Sequence, residues 1–323
     1  MPPRRGAVPN HWNKRRHGDV TGLVLGTAQI GQSYGVANTT GTPTESASIN
    51  LIRAAIAAGV RCIDTARAYG QAERRIGLAL AANTTDVHVV TKLDPLAHLP
   101  AIVPADIALA AAAASLAASR EALVSTKIDT LLLHRADHLT MWGGGIWRML
   151  IKERDDGRIG RLGISVQSPA EAFAALDNRN VEHLQMPFNL FDHRWEEVIA
   201  ALRNRREVVV HVRSVLLQGL LAGTPEARWP AVPGVSSHDV LPRLTSLAEK
   251  LRRTSVVDLC IAFVRAQEWI DGIVIGMETI EQLTTNLNLF ENPPLSADDA
   301  ASVRASLPRL PDTLLDPAQW PTH

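Results

Sequence analysis

Two cysteines, two tyrosines and an aromatic share of 4% in 323 residues set narrow limits on this chain. Cys62 and Cys260 lie far apart in apolar segments, which excludes a disulfide framework and points to buried thiols in a reducing compartment. No Cys-x-x-Cys pair or Cys/His cluster occurs, and no metal is expected. Neither sign of charge is in excess, with 33 basic residues against 33 acidic ones, so the chain is not expected to bind nucleic acid or anionic lipid. Apolar runs of roughly 18 residues are missing; the softest stretch, Ile107 to Ala118, is too short and too rich in alanine to span a bilayer. Residues 1–19 carry Arg4, Arg5, Lys14, Arg15 and Arg16 with no apolar segment after them, so a signal peptide is not read. A cytoplasmic protein with a flexible basic tail over 1–19 is the expectation.

What is present is a repeat of strand and helix. Short apolar, β-branched pulses predict strands at Leu23–Leu25, Arg61–Asp64, Val87–Lys92, Lys127–Leu133, Arg161–Ser165, His183–Met186, Glu207–Val212 and Ile270–Ile275. Between them, helical periodicity covers Ser46–Ala58, Ala72–Ala82, Pro104–Leu123, Ile146–Asp155, a segment opened by Ser168-Pro169, and Arg194–Arg203. Val240–Arg252, Val256–Gln267, Ile280–Phe290 and Asp298–Leu307 follow. No strand alternates apolar with polar as a half-exposed one would, which predicts an all-parallel sheet with helices outside. Eight repeats favour a closed α/β (β/α)8 barrel over residues 20–323, ending in a helical extension. The open dinucleotide-binding sheet is disfavoured, because no GxGxxG follows the first strand. Gly219 to Asp239, rich in proline and glycine, reads as a lid or binding loop.

Chemistry gathers at strand ends. The second strand ends on Asp64 with Tyr69 on the loop beyond it, the third ends on Lys92, and the fourth runs into His134. In a barrel, catalytic groups converge from the C-terminal ends of several strands. A free tyrosine titrates about three units above neutral pH, so it exchanges a proton readily only beside a cation. A lysine held by an acid meets that need. Tyr34, Arg67 and Trp142 are candidates to line the substrate mouth.

The sequence resembles the aldo-keto reductases. The resemblance rests on LGTAQIG, DTARAYGQAERRIG, VVTK, LLLH, GRIGRLGIS, LQMPFN and IVIGMETIEQLTTNL, and it runs from about Gly22 to Phe290. The opening LGTAQIGQSYGVAN resembles a bacterial subgroup. The resemblance implies that Tyr69 is the general acid, Lys92 its cationic support, Asp64 the partner of Lys92, and His134 the group that orients the carbonyl. It also implies a nicotinamide dinucleotide lying across the strand ends, near Gly26, Thr27, Asp64 and Gly219. Ser165 and Gln185 would meet the carboxamide, Ser214 a phosphate, and Gly276 to Asn286 the adenosine end, with Asn286 facing adenine. Arg213 stands where relatives carry an aromatic residue, Val166 where they carry asparagine, and Gln282 where they carry arginine. NADPH is expected ahead of NADH.

The function that follows is NAD(P)H-dependent reduction of an aldehyde or ketone, possibly sugar-like, to the alcohol. A non-redox isomerase, epimerase or lyase on the same barrel is the alternative, with a dinucleotide-sensing scaffold as a third. The sequence sets no oligomeric state.

Overall fold

In the computed structural model, which describes residues 22–36, 38, 41–81, 84–223, 229–232 and 235–320, every apolar pulse is a strand. These are β1 (Leu23–Gly26), β2 (Cys62–Asp64), β3 (His88–Lys92), β4 (Ile128–Leu133), β5 (Ile159–Ser165), β6 (His183–Pro187), β7 (Val209–Arg213) and β8 (Gly272–Gly276). All neighbours pair in parallel, in chain order, and β8 returns to β1 to close the barrel. Parallel neighbours need a crossover, and helices supply it on the outside. The fold is a (β/α)8 barrel.

Strand residues alternate between two cores. Leu25, Ile63, Leu131, Ile164, Leu184 and Val210 face outward into a continuous apolar layer with helix residues such as Leu51, Ile52, Ile76 and Leu150. Val24, Cys62, Val90 and Leu132 form a separate small cluster with Val274 inside the barrel. Two glycines complete that interior tier by leaving room. A Cβ on Gly163 would lie 2.1 Å from the His183 carbonyl oxygen and 2.6 Å from Leu132, and one on Gly272 would lie 2.6 Å from the His211 ring. The His211 imidazole stands beside Gly272 and meets that of His183 edge to face, with centroids 4.3 Å apart. Because a main-chain carbonyl yields less readily than a flexible side chain, Gly163→Ala is expected to lower stability by about 3 kcal/mol, read as a shift in the urea midpoint.

Several boundaries differ from those the sequence suggested, each for a local reason. The first long helix starts at Glu45, since the Thr44 side chain accepts from the Ala47 N–H. β7 starts at Val209, because a turn from Arg205 to Val208 takes up Glu207. Arg194–Arg203 divides into a 3-10 turn, His193–Trp195, and a helix, Glu196–Leu202. The division follows from Asp192, whose carboxylate accepts from the Arg194 backbone N–H and, at 2.9 Å, from the Trp195 indole. The irregular stretch after Gly219 is narrower than expected, with 3-10 turns over Leu217–Ala222 and a helix over Ser237–Lys250. Residues 224–228 and 233–234 lie outside the described residues, as do the basic segment 1–19 and the expected helix end at 82–83. Cys62 and Cys260 are free, buried thiols. Among the described residues no helix is long and apolar enough to cross a membrane.

Candidate active site

The interior tier fixes what stands above it. Moving two residues along each strand from Val24, Cys62, Val90, Leu132, Gly163, His183, His211 and Val274 reaches Gly26, Asp64, Lys92, His134, Ser165, Gln185, Arg213 and Gly276. A period of two keeps these on the same inward face, so every strand delivers one residue to the C-terminal mouth.

Polar members of this ring are linked. Lys92 Nζ donates to Asp64 Oδ1 at 2.7 Å and to the Thr65 carbonyl at 2.9 Å. Gln185 Nε2 donates to Asp64 Oδ2 at 2.6 Å, and Ser165 Oγ donates to Gln185 Oε1 at 3.4 Å. Both charges are almost fully buried, with side-chain exposures of 1% for Lys92 and 4% for Asp64. Burial, the largest influence on Lys92, opposes its charge, yet the Asp64 carboxylate and the nearby Tyr69 outweigh it and raise the ammonium pKa. The ammonium sits over the Tyr69 ring, 5.0 Å from its centroid, and the His134 ring meets Tyr69 edge-on at 5.9 Å. Burial pushes the His134 pKa down to about 3, with Lys92, Arg213 and His138 adding to the effect, so the imidazole is neutral at neutral pH.

Asp64 and Tyr69 line one end of an elongated cavity of about 470 Å³. Gly26, Thr27 and Tyr34 form its wall on the β1 side, and Arg213, Ser214 and Gly219 the wall on the β7 side. Gly276, Gln282 and Asn286 line the far end. The glycines that close β1 and β8 keep this groove clear: a Cβ on Gly276 would strike the Gln29 amide, and one on Gly26 would touch Val274 and the Gly276 backbone. Lys92, His134, Ser165 and Gln185 stand around and behind the Asp64 and Tyr69 end, connected to it by the contacts above. Tyr34 keeps 39% of its surface exposed, and its partial desolvation, then the proximity of Tyr69, raises the phenol pKa.

Two sequence candidates point elsewhere. Arg67 is not among the residues lining the cavity; its guanidinium meets Glu73 at 2.6 Å, and that buried carboxylate also accepts from Thr91 Oγ1 at 2.7 Å. It braces the loop that carries Tyr69. Trp142 lies against His138, with centroids 5.4 Å apart, and is also absent from the lining. Other lining residues escaped the sequence reading. Gln29 follows β1 in the stretch TAQIG and Gln218 belongs to a strained turn, while Glu281, in the first turn of the helix Ile280–Glu291, falls within the segment Gly276 to Asn286 already expected at the cavity. Ser214, Leu217 and Gln218 hold φ of +60°, +47° and +53°, conformations that L-residues adopt at a cost and that concentrate at functional sites.

A parallel barrel with an acid–lysine pair buried against a tyrosine defines the class of protein. A profile of the Aldo/keto reductase family matches residues 22–308, and the chain belongs to that family. In general terms this is NAD(P)H-linked oxidoreduction of small carbonyl compounds. The "Uncharacterized oxidoreductase Rv2298" of Mycobacterium tuberculosis and "Uncharacterized oxidoreductase Mb2320" of Mycobacterium bovis are each 32% identical over 297 residues, covering 84% of this chain and 84% of their own. Among solved structures, the holo form of aldo-keto reductase AKR11C1 from Bacillus halodurans superposes with a TM-score of 0.71 at 20% identity, covering 89% of this chain and 92% of that one. The glycerol dehydrogenase AKR11B4 from Gluconobacter oxydans gives 0.67 at 22% identity and 93% of both chains. These two likenesses concern the fold.

Proposed function

We propose that this protein reduces the carbonyl of a small polar aldehyde or ketone to the alcohol, with Tyr69 delivering the proton. The observation that carries the reading is the buried Lys92–Asp64 pair set against the Tyr69 ring at one end of a long cavity. A buried ammonium facing a phenol stabilises the negative charge that builds on oxygen as its proton leaves. Asp64 keeps that ammonium charged and fixed, and Gln185 and the Thr65 carbonyl hold the pair in register. His134, neutral and edge-on to Tyr69, orients the carbonyl.

The cavity suits a nicotinamide dinucleotide, which when bound supplies the hydride that reaches the carbonyl carbon. The clear groove at Gly26 and Gly276 admits an extended ligand, Ser214 offers a hydrogen-bonding group along it, and Ser165 and Gln185 stand behind its Tyr69 end. Since hydride and proton meet at one carbonyl, the reactive ring belongs beside Tyr69 and the adenosine at the Gly276–Asn286 end. After the transfer Tyr69 recovers its proton from solvent.

The residues at the far end support NADH, whereas the sequence placed NADPH first. Among the described residues lining it, none is Lys or Arg, while Glu278 and Glu281 contribute carboxylates. The start of the helix Ile280–Glu291 already has its own acceptors. Thr279 Oγ1 takes the Gln282 N–H at 3.2 Å and Gln282 Oε1 takes the Glu278 N–H at 2.7 Å. The Glu281 carboxylate pKa is lowered chiefly by its own backbone N–H, then by the Thr279 hydroxyl. An additional phosphate there would compete for these N–H groups and face like charge, so NADH is the better match. Tryptophan-fluorescence titration is expected to show NADH binding about tenfold more tightly than NADPH, and Glu281→Lys to narrow the gap. Tighter binding of NADPH to the unmodified protein would reverse the assignment.

The Gluconobacter neighbour is named a glycerol dehydrogenase, which makes glyceraldehyde a natural first probe. Loss of NADH absorbance on adding glyceraldehyde or 4-nitrobenzaldehyde tests the reading. No carbonyl-dependent oxidation across a panel of small aldehydes and ketones would count against it.

A further inference from the structure

The Tyr69 end of the cavity holds more positive charge than it neutralises. Lys92 is matched by Asp64 at 2.7 Å. Arg213, the last residue of β7, is not matched by any acid among the described residues. Its Nη2 donates to the Val166 carbonyl at 3.1 Å and its Nη1 to the Ser214 hydroxyl at 3.4 Å, both uncharged acceptors that fix the guanidinium without cancelling it. It stands near enough to Lys92, His134 and Tyr34 to influence the titration of each. His134, neutral, offers no compensation.

We propose that Arg213 makes this site discriminate between the two redox states of its cofactor, binding reduced nicotinamide dinucleotide more tightly than the oxidised form. The inference rests on the carbonyl-reductase reading, which sets the reactive ring at the Tyr69 end. That ring is uncharged when reduced and carries one positive charge when oxidised, and nothing else in the dinucleotide changes charge between the two states. Two cations against one carboxylate therefore penalise the oxidised form alone. The interaction is only weakly screened, because Lys92 and Asp64 are almost fully buried and Arg213 is partly so.

The preference has a direction. A site that repels the oxidised ring loads reduced cofactor from a mixture of the two and releases the oxidised form after the hydride has gone, which suits carbonyl reduction as the working direction. By linkage, the ratio of the two affinities equals the displacement of the bound couple toward its reduced form, so easier release is offset by a smaller driving force on the protein. An aromatic residue at this position would impose no such charge penalty, and the role falls to the arginine.

The test needs no substrate. Dissociation constants for NADH and NAD+ are measured by calorimetry on the unmodified protein, on Arg213→Leu and on Arg213→Lys. The unmodified protein is expected to hold NADH at least about tenfold more tightly than NAD+. Arg213→Leu should shrink that ratio by about tenfold, mainly through tighter NAD+, and Arg213→Lys should keep most of it. A ratio near one in the unmodified protein overturns the proposal whether or not the variants fold, as does an unchanged ratio in Arg213→Leu. If neither form binds the unmodified protein, the dinucleotide reading of the cavity fails and this inference fails with it. Binding of both forms with equal affinity leaves that reading standing and removes only the role of Arg213.

Discussion

Tyr69→Phe is expected to lose about 10³-fold in carbonyl reduction while its affinity for NADH is unchanged. The substitution removes one oxygen and keeps the ring, so the edge contact with His134 and the facing ammonium of Lys92 have the same surface to pack against. The Lys92–Asp64–Gln185 network makes no hydrogen bond through the phenol oxygen, so it has no reason to rearrange. What disappears is the proton donor to the carbonyl oxygen. Because that transfer belongs to the transition state and not to ground-state binding, kcat and kcat/KM should fall together with little change in KM. Steady-state rates with glyceraldehyde, set beside a fluorescence titration with NADH, separate the two effects. A variant that retained more than a tenth of the activity would show that the proton comes from another group.

Acid should unfold this barrel earlier than its balanced charge suggests. His183 and His211 are buried and His88 and His134 half-buried, and loss of solvation is the main cause that lowers each pKa: to about 4 for His88, to about 3 for His134 and His211, and well below the usual imidazole range for His183. Arg161 and Lys92 oppose protonation of His183 and His211 further, while Asp129 partly counters the effect at His88. Neither nitrogen of His183 finds a hydrogen-bond partner among the described residues, so a proton there would be a buried charge with no acceptor. In the unfolded chain all four titrate near 6.5. Below that value the unfolded state takes up protons that the native state excludes, so stability is fully present above about pH 6.5 and falls as pH drops toward the native values. Each such histidine contributes about 1.4 kcal/mol per pH unit well below 6.5, and four together about 5.6 kcal/mol per pH unit, a large share of a typical domain's stability. Urea midpoints measured from about pH 7.5 to about pH 5 should fall steeply below 6.5. Midpoints that stay flat to about pH 5 would show that the native barrel accepts these protons.

Strand–helix alternation and the apolar pulses sufficed to predict the barrel, and the strand-end rule brought out Asp64, Lys92 and His134, because each is the polar residue that ends an apolar run. The same period of two explains why Ser165, Gln185, Arg213 and Gly276 share their face. That alignment emerges only when the interior tier is known, since Gly163, His183, His211 and Gly272 do not look like core. Arg67 is placed away from the cavity lining by a contact the sequence does not show. It lies in the loop between Asp64 and Tyr69, yet Glu73, six residues later at the start of the next helix, captures it, a contact set by loop shape and not by spacing. Gln29 and Gln218 were invisible because backbone geometry brings them to the cavity, through a short helix after β1 and through positive φ values after β7. At the Gly276–Asn286 end of the cavity the residue types were legible. Their mutual hydrogen bonds, which leave little room for another anion, were not.

In the proposed reaction, hydride reaches the substrate from a dinucleotide at the Tyr69 end of the cavity. A single-turnover reaction with NADH deuterated at the nicotinamide C4, using glyceraldehyde or 4-nitrobenzaldehyde and analysed by mass spectrometry, tests it most directly. The expected result is an alcohol bearing one deuterium on the former carbonyl carbon, formed in step with the oxidised dinucleotide. Conversion of the substrate with no deuterium in the product and no cofactor consumed would contradict it, and would reassign the Tyr69, Lys92 and Asp64 set to non-redox acid–base chemistry on the same barrel.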